Sequence, residues 1–401
     1  MIMLSTRGLE SRNLSGSPAR MVMRVSEQHD RPKGLRAREA FLITDSNLPE
    51  GFGLYMAFAK DAASLGGLPS QAKTIILPDE LVYLADGDVM RLWPKNNAIR
   101  VLYRRNSFHN HFLLTERCNH YCLMCSQPPK NIDDGWIADD VLAAIPLIDP
   151  SAQEIGFTGG EPTLLGDDFF RILRAMKSYL PRTAVHILSN GRLFSSPEFA
   201  KRYADIRHFD AMIGIPLYSD VSTIHDYVVQ SDGAFDETIR GILNLKHYGQ
   251  KVEIRVVVHR QTYARLPQLA EFLARNLTFV DHIALMGLEI TGFTRANLES
   301  LWIDPVNYQQ ELYRAVSFLA DSRMNVSIYN HQLCVLDERL WPFARKSISD
   351  WKNEYMPECL GCREKENCGG FFASAKIRYS DHIGPSPSSE SRKGTPASFS
   401  I

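Results

Sequence analysis

The stretch HFLLTERCNHYCLMC, residues 111–125, places a short apolar run directly before a loop that carries three cysteines in eight positions, Cys118, Cys122 and Cys125. HFLLT has the length and apolar content of a buried β-strand. The same grammar recurs downstream. EIGFTG (154–159), AVHILSN (184–190), AMIGIPL (211–217), VEIRVVVH (252–259) and HIALMGL (282–288) are short apolar runs, each followed by turn residues and then a helical pattern. Phe169, Ile172, Leu173, Met176 and Leu180 fall on one helical face, as do Phe235, Ile239, Ile242 and Leu243. Strand-helix alternation predicts an α/β fold with a parallel sheet, buried on both faces because its strands are almost continuously apolar. Six such units make either a doubly wound sheet or an incomplete barrel, and both bind ligands at the carboxyl ends of their strands. The cysteine loop follows the first strand and so lies at that end.

Working outward, the chain has 401 residues, 44% of them hydrophobic and 23% charged, with a formal net charge of −1. This is the composition of a soluble globular protein, with one core of about 200 residues plus flanks. A near-neutral charge gives no field to steer nucleic acid or acidic lipid, so neither partner is expected. No apolar run approaches the roughly 20 residues of a membrane span, and the N-terminus lacks the apolar core of a signal peptide. The expected compartment is the cytoplasm.

Residues 1–40 carry eight Lys/Arg against four Asp/Glu with little periodicity and are expected to form a loose basic arm. The runs TIILP, LVYLADGDVMRLWP and AIRVLYRR predict a small β-rich module over 41–109. The barrel-like core covers 110–300 and a cysteine-rich extension 301–380, its helix opened by Asp304-Pro305. Residues 381–401 hold six Ser and three Pro, the composition of a disordered tail.

The remaining cysteines, Cys334, Cys359, Cys362 and Cys368, form a second group. Neither group has the spread of a disulfide framework, so metal is the better reading. Soft thiolates select zinc, copper(I) or iron-sulfur clusters. Three cysteines can hold three irons of a 4Fe-4S cubane and leave the fourth iron open to an exogenous ligand. The alternative is zinc completed by a histidine such as His109, His111 or His120, and a four-cysteine zinc knuckle for the distal group. The second strand runs into Gly159-Gly160-Glu161-Pro162, where paired glycines let backbone approach a ligand and a carboxylate can accept from an ammonium.

CxxxCxxC followed by GGEP in the next βα loop resembles the radical S-adenosylmethionine (SAM) superfamily over about residues 110–300. That resemblance implies a partial (β/α)6 TIM-like barrel. It further implies a 4Fe-4S cluster on Cys118, Cys122 and Cys125 whose open iron is chelated by SAM. Glu161 is then expected to hold the SAM amino group, with Gly159, Gly160 and Pro162 shaping that loop, and Met124 to lie near the adenine. Ser189 and Asn190 resemble the family's ribose-contacting turn, and Arg255 is a candidate for the SAM carboxylate or for a structural partner. Where many relatives read Ser-Leu-Asp on the fourth strand, this chain reads Pro216-Leu217-Tyr218. Glu289 and His225-Asp226 are candidates to face substrate, and no catalytic base is assigned. The spacing Cys359-x2-Cys362-x5-Cys368, with Cys334 upstream, resembles SPASM or twitch extensions and implies one auxiliary 4Fe-4S cluster. LLTERCNHYCLMCSQPPK (113–130) with ECLGCREKENCGGFF (358–372) resembles the radical SAM maturases of the His-Xaa-Ser system. The implied partners are a small precursor peptide with His-Xaa-Ser repeats and a flavodoxin or ferredoxin as reductant. Small-molecule or cofactor biosynthesis, and a non-catalytic zinc scaffold, are the alternatives.

Overall fold

The structure is a computed structural model that describes residues 4–346 and 354–385. Its contacts divide the chain into two compact units. The first comprises the chain up to Asn119, with Pro129–Ile215 and Glu237–Lys251; the second comprises His120–Pro128, Pro216–Asp236 and the chain from Val252 onward.

The first unit opens with a mixed sheet of eight strands, β1 (Ser5–Thr6), β2 (Ser11–Arg12), β3 (Met21–Ser26), β4 (Glu39–Leu42), β5 (Leu54–Phe58), β6 (Thr74–Leu77), β7 (Val89–Trp93) and β8 (Ala98–Tyr103). Their order is β1-β8-β7-β3-β4-β5-β6-β2. Side chains alternate across it. Met23, Val25, Leu42 and Met56 pack into one core, while Phe41, Ile43, Tyr55 and Ala57 pack into another. This corrects the loose basic arm expected for residues 1–40. That segment supplies β1, β2, β3 and the start of β4, and Met23 and Val25 are 2% and 0% exposed. In MVMRVS the apolar residues recur at the strand period of two, but the run is brief and flanked by charge, which hides it.

The second sheet is all parallel, with its strands in sequence order: β9 (Asn110–Leu113), β10 (Glu154–Thr158), β11 (Ala184–Leu188), β12 (Ala211–Pro216), β13 (Lys251–Val258), β14 (His282–Gly287) and β15 (Val326–Tyr329). The first six coincide with the six expected runs, and helices stand between consecutive strands. The seventh, VSIY, has four residues with a serine inside, too short a signal to read. The helix Asp167–Tyr179 buries Phe169, Ile172, Leu173 and Met176 as expected. In Ala234–His247 the buried face is Ala234, Thr238, Ile242 and Leu245, whereas Leu243 is 45% exposed, a correction to the expected face. Asp304 caps the turn Pro305–Tyr308, accepting from the Val306 N–H at 3.1 Å, and the helix Gln309–Asp321 follows. Of the tail expected to be disordered, 386–401 lies outside the described residues, but Ile383 is buried beside Val335, Met356 and Phe371. No described helix is long and apolar enough to cross a membrane.

One buried ion pair fastens the N-terminal sheet to the first helix of the α/β part, Trp136–Ala144. Arg91 donates to Asp140 at 2.9 Å, and Arg20 reaches the other carboxylate oxygen at 3.0 Å. The Arg91 guanidinium also lies 4.2 Å from the ring of Trp93 and 4.8 Å from that of Trp136. Asp140→Ala leaves Arg91 desolvated without its carboxylate, a loss of roughly 3 kcal/mol. Thermal unfolding should show a lower midpoint for this variant, whereas Asp139→Ala, at a side chain 68% exposed, should leave it unchanged.

Candidate active site

In the first unit the two loops after β9 and β10 are zipped together by backbone. Gly160 N–H donates to Thr115 O, and Glu161 N–H to Arg117 O, both at 2.8 Å. This approach requires glycine. A Cβ on Gly160 would stand 2.0 Å from Arg117 O and 3.1 Å from the Cβ of Cys118, and one on Gly159 would stand 2.4 Å from Thr115 O. The paired glycines therefore hold the start of the cysteine loop.

Glu161 is 0% exposed, and Pro162 behind it is also buried. Its Oε1 accepts from the Thr163 N–H at 3.0 Å, the Thr163 hydroxyl at 2.5 Å and the Ser189 hydroxyl at 2.8 Å, while Oε2 accepts from the Asn190 N–H at 2.6 Å. Burial pushes the carboxyl above its usual range, against the pull of these donors. Asn190 in turn donates from its amide to the Asn119 side chain at 2.6 Å, and Arg192 donates to Asn119 O at 3.2 Å. A chain of hydrogen bonds thus runs from the GGEP carboxylate through the end of β11 to the residue after Cys118.

A second buried carboxylate, Asp134, was not singled out in the sequence. It accepts from the Thr115 hydroxyl at 2.9 Å, from the Glu116 N–H and from Arg117 Nε at 3.1 Å. Its only sequence signal is the Asp-Asp-Gly just before the helix at Trp136, which reads as an ordinary turn. His111, a candidate zinc ligand, points at β10; a Cβ on Gly156 would meet its ring carbon at 2.1 Å.

In the second unit the rest of the cysteine loop is held by main-chain and side-chain contacts. Tyr121 and Leu123 N–H donate to Val229 and Val228 carbonyls at 3.1 and 2.9 Å. Asn297 and Thr294 side chains donate to the carbonyls of Leu123 and Met124 at 2.9 and 3.2 Å. The N–H of Phe293 donates to Cys125 O at 2.8 Å. Met124 is buried in an apolar cluster with Tyr218, Val228 and Leu301, with Cys122 against it. Burial raises the thiol of Cys125.

Tyr218 sits at the fourth strand's departure from the family pattern. Burial, then the charges of Cys122 and Cys125, lift its phenol well above the usual value, with Arg255 opposing. His225 and His259 flank its ring, centroids 5.9 and 6.3 Å away. Each uses Nδ1 to accept a backbone N–H, from Tyr218 and Gln261 respectively, both at 3.3 Å. Arg255 finds its carboxylate two residues away, donating to Glu253 at 2.7 Å, and Glu253 also meets His282 at 2.7 Å.

The distal cysteines come within electrostatic reach of one another. Burial raises the Cys334 thiol, and Cys368 and Cys359 raise it further; Cys359 is raised by burial, Cys368 and Cys362. Tyr355 staples their loop, its single hydroxyl hydrogen shared between Lys365 O at 2.9 Å and Cys368 O at 3.1 Å. Among the described residues, no three His, Cys, Asp or Glu side chains close on a single-ion position. In the same unit a cleft of about 720 Å3, its open mouth included, lies between strand-end residues such as Val258 and Glu289 and extension residues such as Phe371 and Arg378. The sequence candidate Glu289 lines it; Asp226 instead sits in the helix Ser222–Val229 and turns its carboxylate to the start of the following helix, accepting from the Gly233 and Phe235 N–H groups at 2.7 and 2.8 Å.

The Radical SAM superfamily signature matches residues 112–273. Among curated proteins the chain is similar to Fe-coproporphyrin III synthase of Methanosarcina barkeri (strain Fusaro / DSM 804), 27% identical over 170 residues that cover 40% of this chain and 39% of that protein. It is also similar to pre-heme d1 synthase of Dinoroseobacter shibae (strain DSM 16493 / NCIMB 14021 / DFL 12), 28% identical over 159 residues, 39% of this chain and 38% of that protein. The chain thus spans less than half the length of these relatives. Among solved structures, Streptococcus suis SuiB bound to S-adenosylmethionine aligns with a TM-score of 0.46 at 16% identity, over 57% of this chain and 51% of that one. Native anSMEcpe with bound AdoMet and Cp18Cys peptide aligns with a TM-score of 0.47 at 13% identity, over 69% and 91%.

Two outcomes are expected from this geometry. Gly160→Ala drives a methyl into Arg117 O and so displaces Cys118; circular dichroism should remain that of a folded α/β chain while iron uptake on anaerobic reconstitution falls. The second concerns His225 and His259, which burial lowers from 6.5 to about 4. The unfolded chain takes up these protons near 6.5 and the folded chain only near 4, so their stabilising contribution is full above 6.5 and lost as pH falls through that window. His259→Asn keeps an acceptor for the Gln261 N–H but removes one titration, so urea unfolding should depend less steeply on pH between 6.5 and 4.

Proposed function

We propose, from the premise that residues 112–273 form a radical SAM domain, that this chain modifies a ribosomally made peptide or small protein, one carrying His-Xaa-Ser repeats. Cys118, Cys122 and Cys125 would hold a 4Fe-4S cluster with SAM at its open iron. The observation that carries this part is the glycine contact. The GGEP loop is locked by backbone onto the first cysteine of a three-thiolate donor set, the set that leaves one iron of a cubane open. When bound, the cluster and SAM supply a radical that abstracts hydrogen from substrate.

The chain's own residues position and exclude water. Gly159, Gly160, Glu161 and Pro162 present the loop edge assigned to the SAM amino group, and Ser189 and Asn190 the turn assigned to the ribose. Met124 anchors the loop assigned to the adenine. Arg255, oriented by Glu253, is assigned to the SAM carboxylate. Cys334, Cys359, Cys362 and Cys368 would hold a second 4Fe-4S cluster, zinc being the alternative, in an electron-transfer role. A flavodoxin or ferredoxin would supply the reducing electron. A peptide substrate rests on the resemblance of residues 113–130 and 358–372 to peptide maturases, and the cleft between the strand ends and the cysteine-rich extension is where it would lie.

A second reading, small-molecule cofactor biosynthesis, is favoured by the names of the two curated relatives, both tetrapyrrole enzymes. The two separate on one experiment: anaerobic reconstitution with SAM, reductant and either a His-Xaa-Ser-repeat peptide or a porphyrin-type precursor of iron coproporphyrin III, read by mass spectrometry. A mass change in the peptide alone supports the first reading and a change in the porphyrin alone replaces it. Cys125→Ala should abolish 5′-deoxyadenosine formation with the fold retained. Cys359→Ala/Cys362→Ala should lose about four irons per chain while peptide-free SAM cleavage persists; unchanged iron with loss of zinc would assign a structural knuckle instead.

A further inference from the structure

Glu161 is the residue expected to hold the SAM amino group, and its surroundings give its carboxylate another task. A carboxylate offers about four lone-pair sites. Four donors already meet this one: the N–H and the hydroxyl of Thr163, the Ser189 hydroxyl and the Asn190 N–H. With the first of these bonds it caps the turn Pro162–Leu165. Both oxygens are engaged and the residue is 0% exposed, with Pro162 and Thr163 buried beside it. An arriving ammonium would have to expel one of these donors and leave it buried without a partner. Gly159 and Gly160, by contrast, are half-buried, and what a glycine shows is main chain.

The other end of the contact is the turn after β11. Ser189 has a single hydroxyl hydrogen and gives it to Glu161, while its oxygen accepts from the Gly191 N–H at 3.1 Å. The Asn190 side chain accepts from the Arg192 N–H at 3.0 Å and donates to Asn119 at 2.6 Å, and the Asn190 carbonyl accepts from the Thr238 hydroxyl at 3.1 Å. Both residues are buried. Two of the bonds that fix this turn, one from a side chain and one from main chain, end on the single carboxylate of Glu161. The turn after β11 therefore takes its shape from the loop after β10, and the charge of Glu161 makes those two bonds stronger than neutral ones.

We infer that Glu161 is a positioning residue: its carboxylate holds the Ser189-Asn190 turn in the shape that takes the ribose, and the acceptors that the loop shows the SAM amino group are the main-chain carbonyls of Gly159 and Gly160. This rests on the radical SAM reading and narrows the role given there to the GGEP loop. Loss of the carboxylate is then felt by any ligand that carries the ribose, with or without an amino group.

The test compares SAM with 5′-methylthioadenosine, which keeps the adenine and ribose and lacks the amino and carboxylate groups. Both are titrated by anaerobic equilibrium dialysis against the reconstituted full chain, without reductant, with affinities taken per assembled cluster. In Glu161→Gln an NH2 group replaces one oxygen, so the N–H groups of Thr163 and Asn190 are left to share the one remaining acceptor. Affinity should fall by the same factor for both ligands, roughly tenfold. Thr163→Val, which removes one hydroxyl donor behind the carboxylate, should lower both by about threefold, and Thr163→Ser should restore them; this pair carries the comparison if the Gln variant does not fold. A loss for SAM alone makes Glu161 the ligand of the amino group and overturns the inference while the radical SAM reading stands. Unchanged affinities in Glu161→Gln overturn it as well. So does a wild-type chain that binds SAM but not 5′-methylthioadenosine, because the turn would then hold no ribose of its own. A wild-type chain that binds neither ligand overturns both the inference and the radical SAM reading.

Discussion

The close approach of Gly160 to the carbonyl of Arg117 is the constraint on which the arrangement around Cys118 depends. A side chain there would occupy the space of a backbone oxygen, 2.0 Å from its first carbon. Because no Cβ intervenes, two backbone hydrogen bonds fasten the loop after β10 to the loop after β9. The first cysteine is therefore placed by main chain, whose geometry varies little, rather than by side chains that can change rotamer.

Around that contact the first unit buries two carboxylates, Glu161 and Asp134, both 0% exposed. A buried anion is tolerated only when donors surround it. Here the donors come from the ends of β9 and β11 and from the cysteine loop itself. The desolvation cost of each carboxylate thus becomes a reason for several loops to keep a single arrangement. In the second unit the corresponding task falls to donors from Thr294 and Asn297 onto loop carbonyls, and to the apolar burial of Met124.

The same economy of donors shapes the cleft beside the cysteine-rich extension. A carbonyl at Tyr329 fixes the tautomer of His331, and His331 fixes the phenolic proton of Tyr308. The extension also joins its own ends: Glu354 and Phe371 exchange paired backbone bonds at 2.8 Å, and Ile383 packs beside them.

The sequence by itself determined the six expected strands of the parallel sheet, the cysteine loop's place after the first and the GGEP loop's place after the second. Those signals are local: apolar runs of strand length, turn residues after them and thiolates at fixed spacing. Strands β1 to β3 and β15 escaped because their apolar positions are few and alternate with charge or serine, so only pairing with distant strands stabilises them. Leu243 turned out exposed because it lies about 100° around the helix from Ile242, whereas Leu245, three residues on, shares the buried face. The roles of Asp134, Tyr218 and the Arg255–Glu253 pair were decided only by the tertiary structure. A carboxylate, a phenol or a guanidinium acquires its function from the donors, charges and dryness around it, and those come from segments far away in the chain.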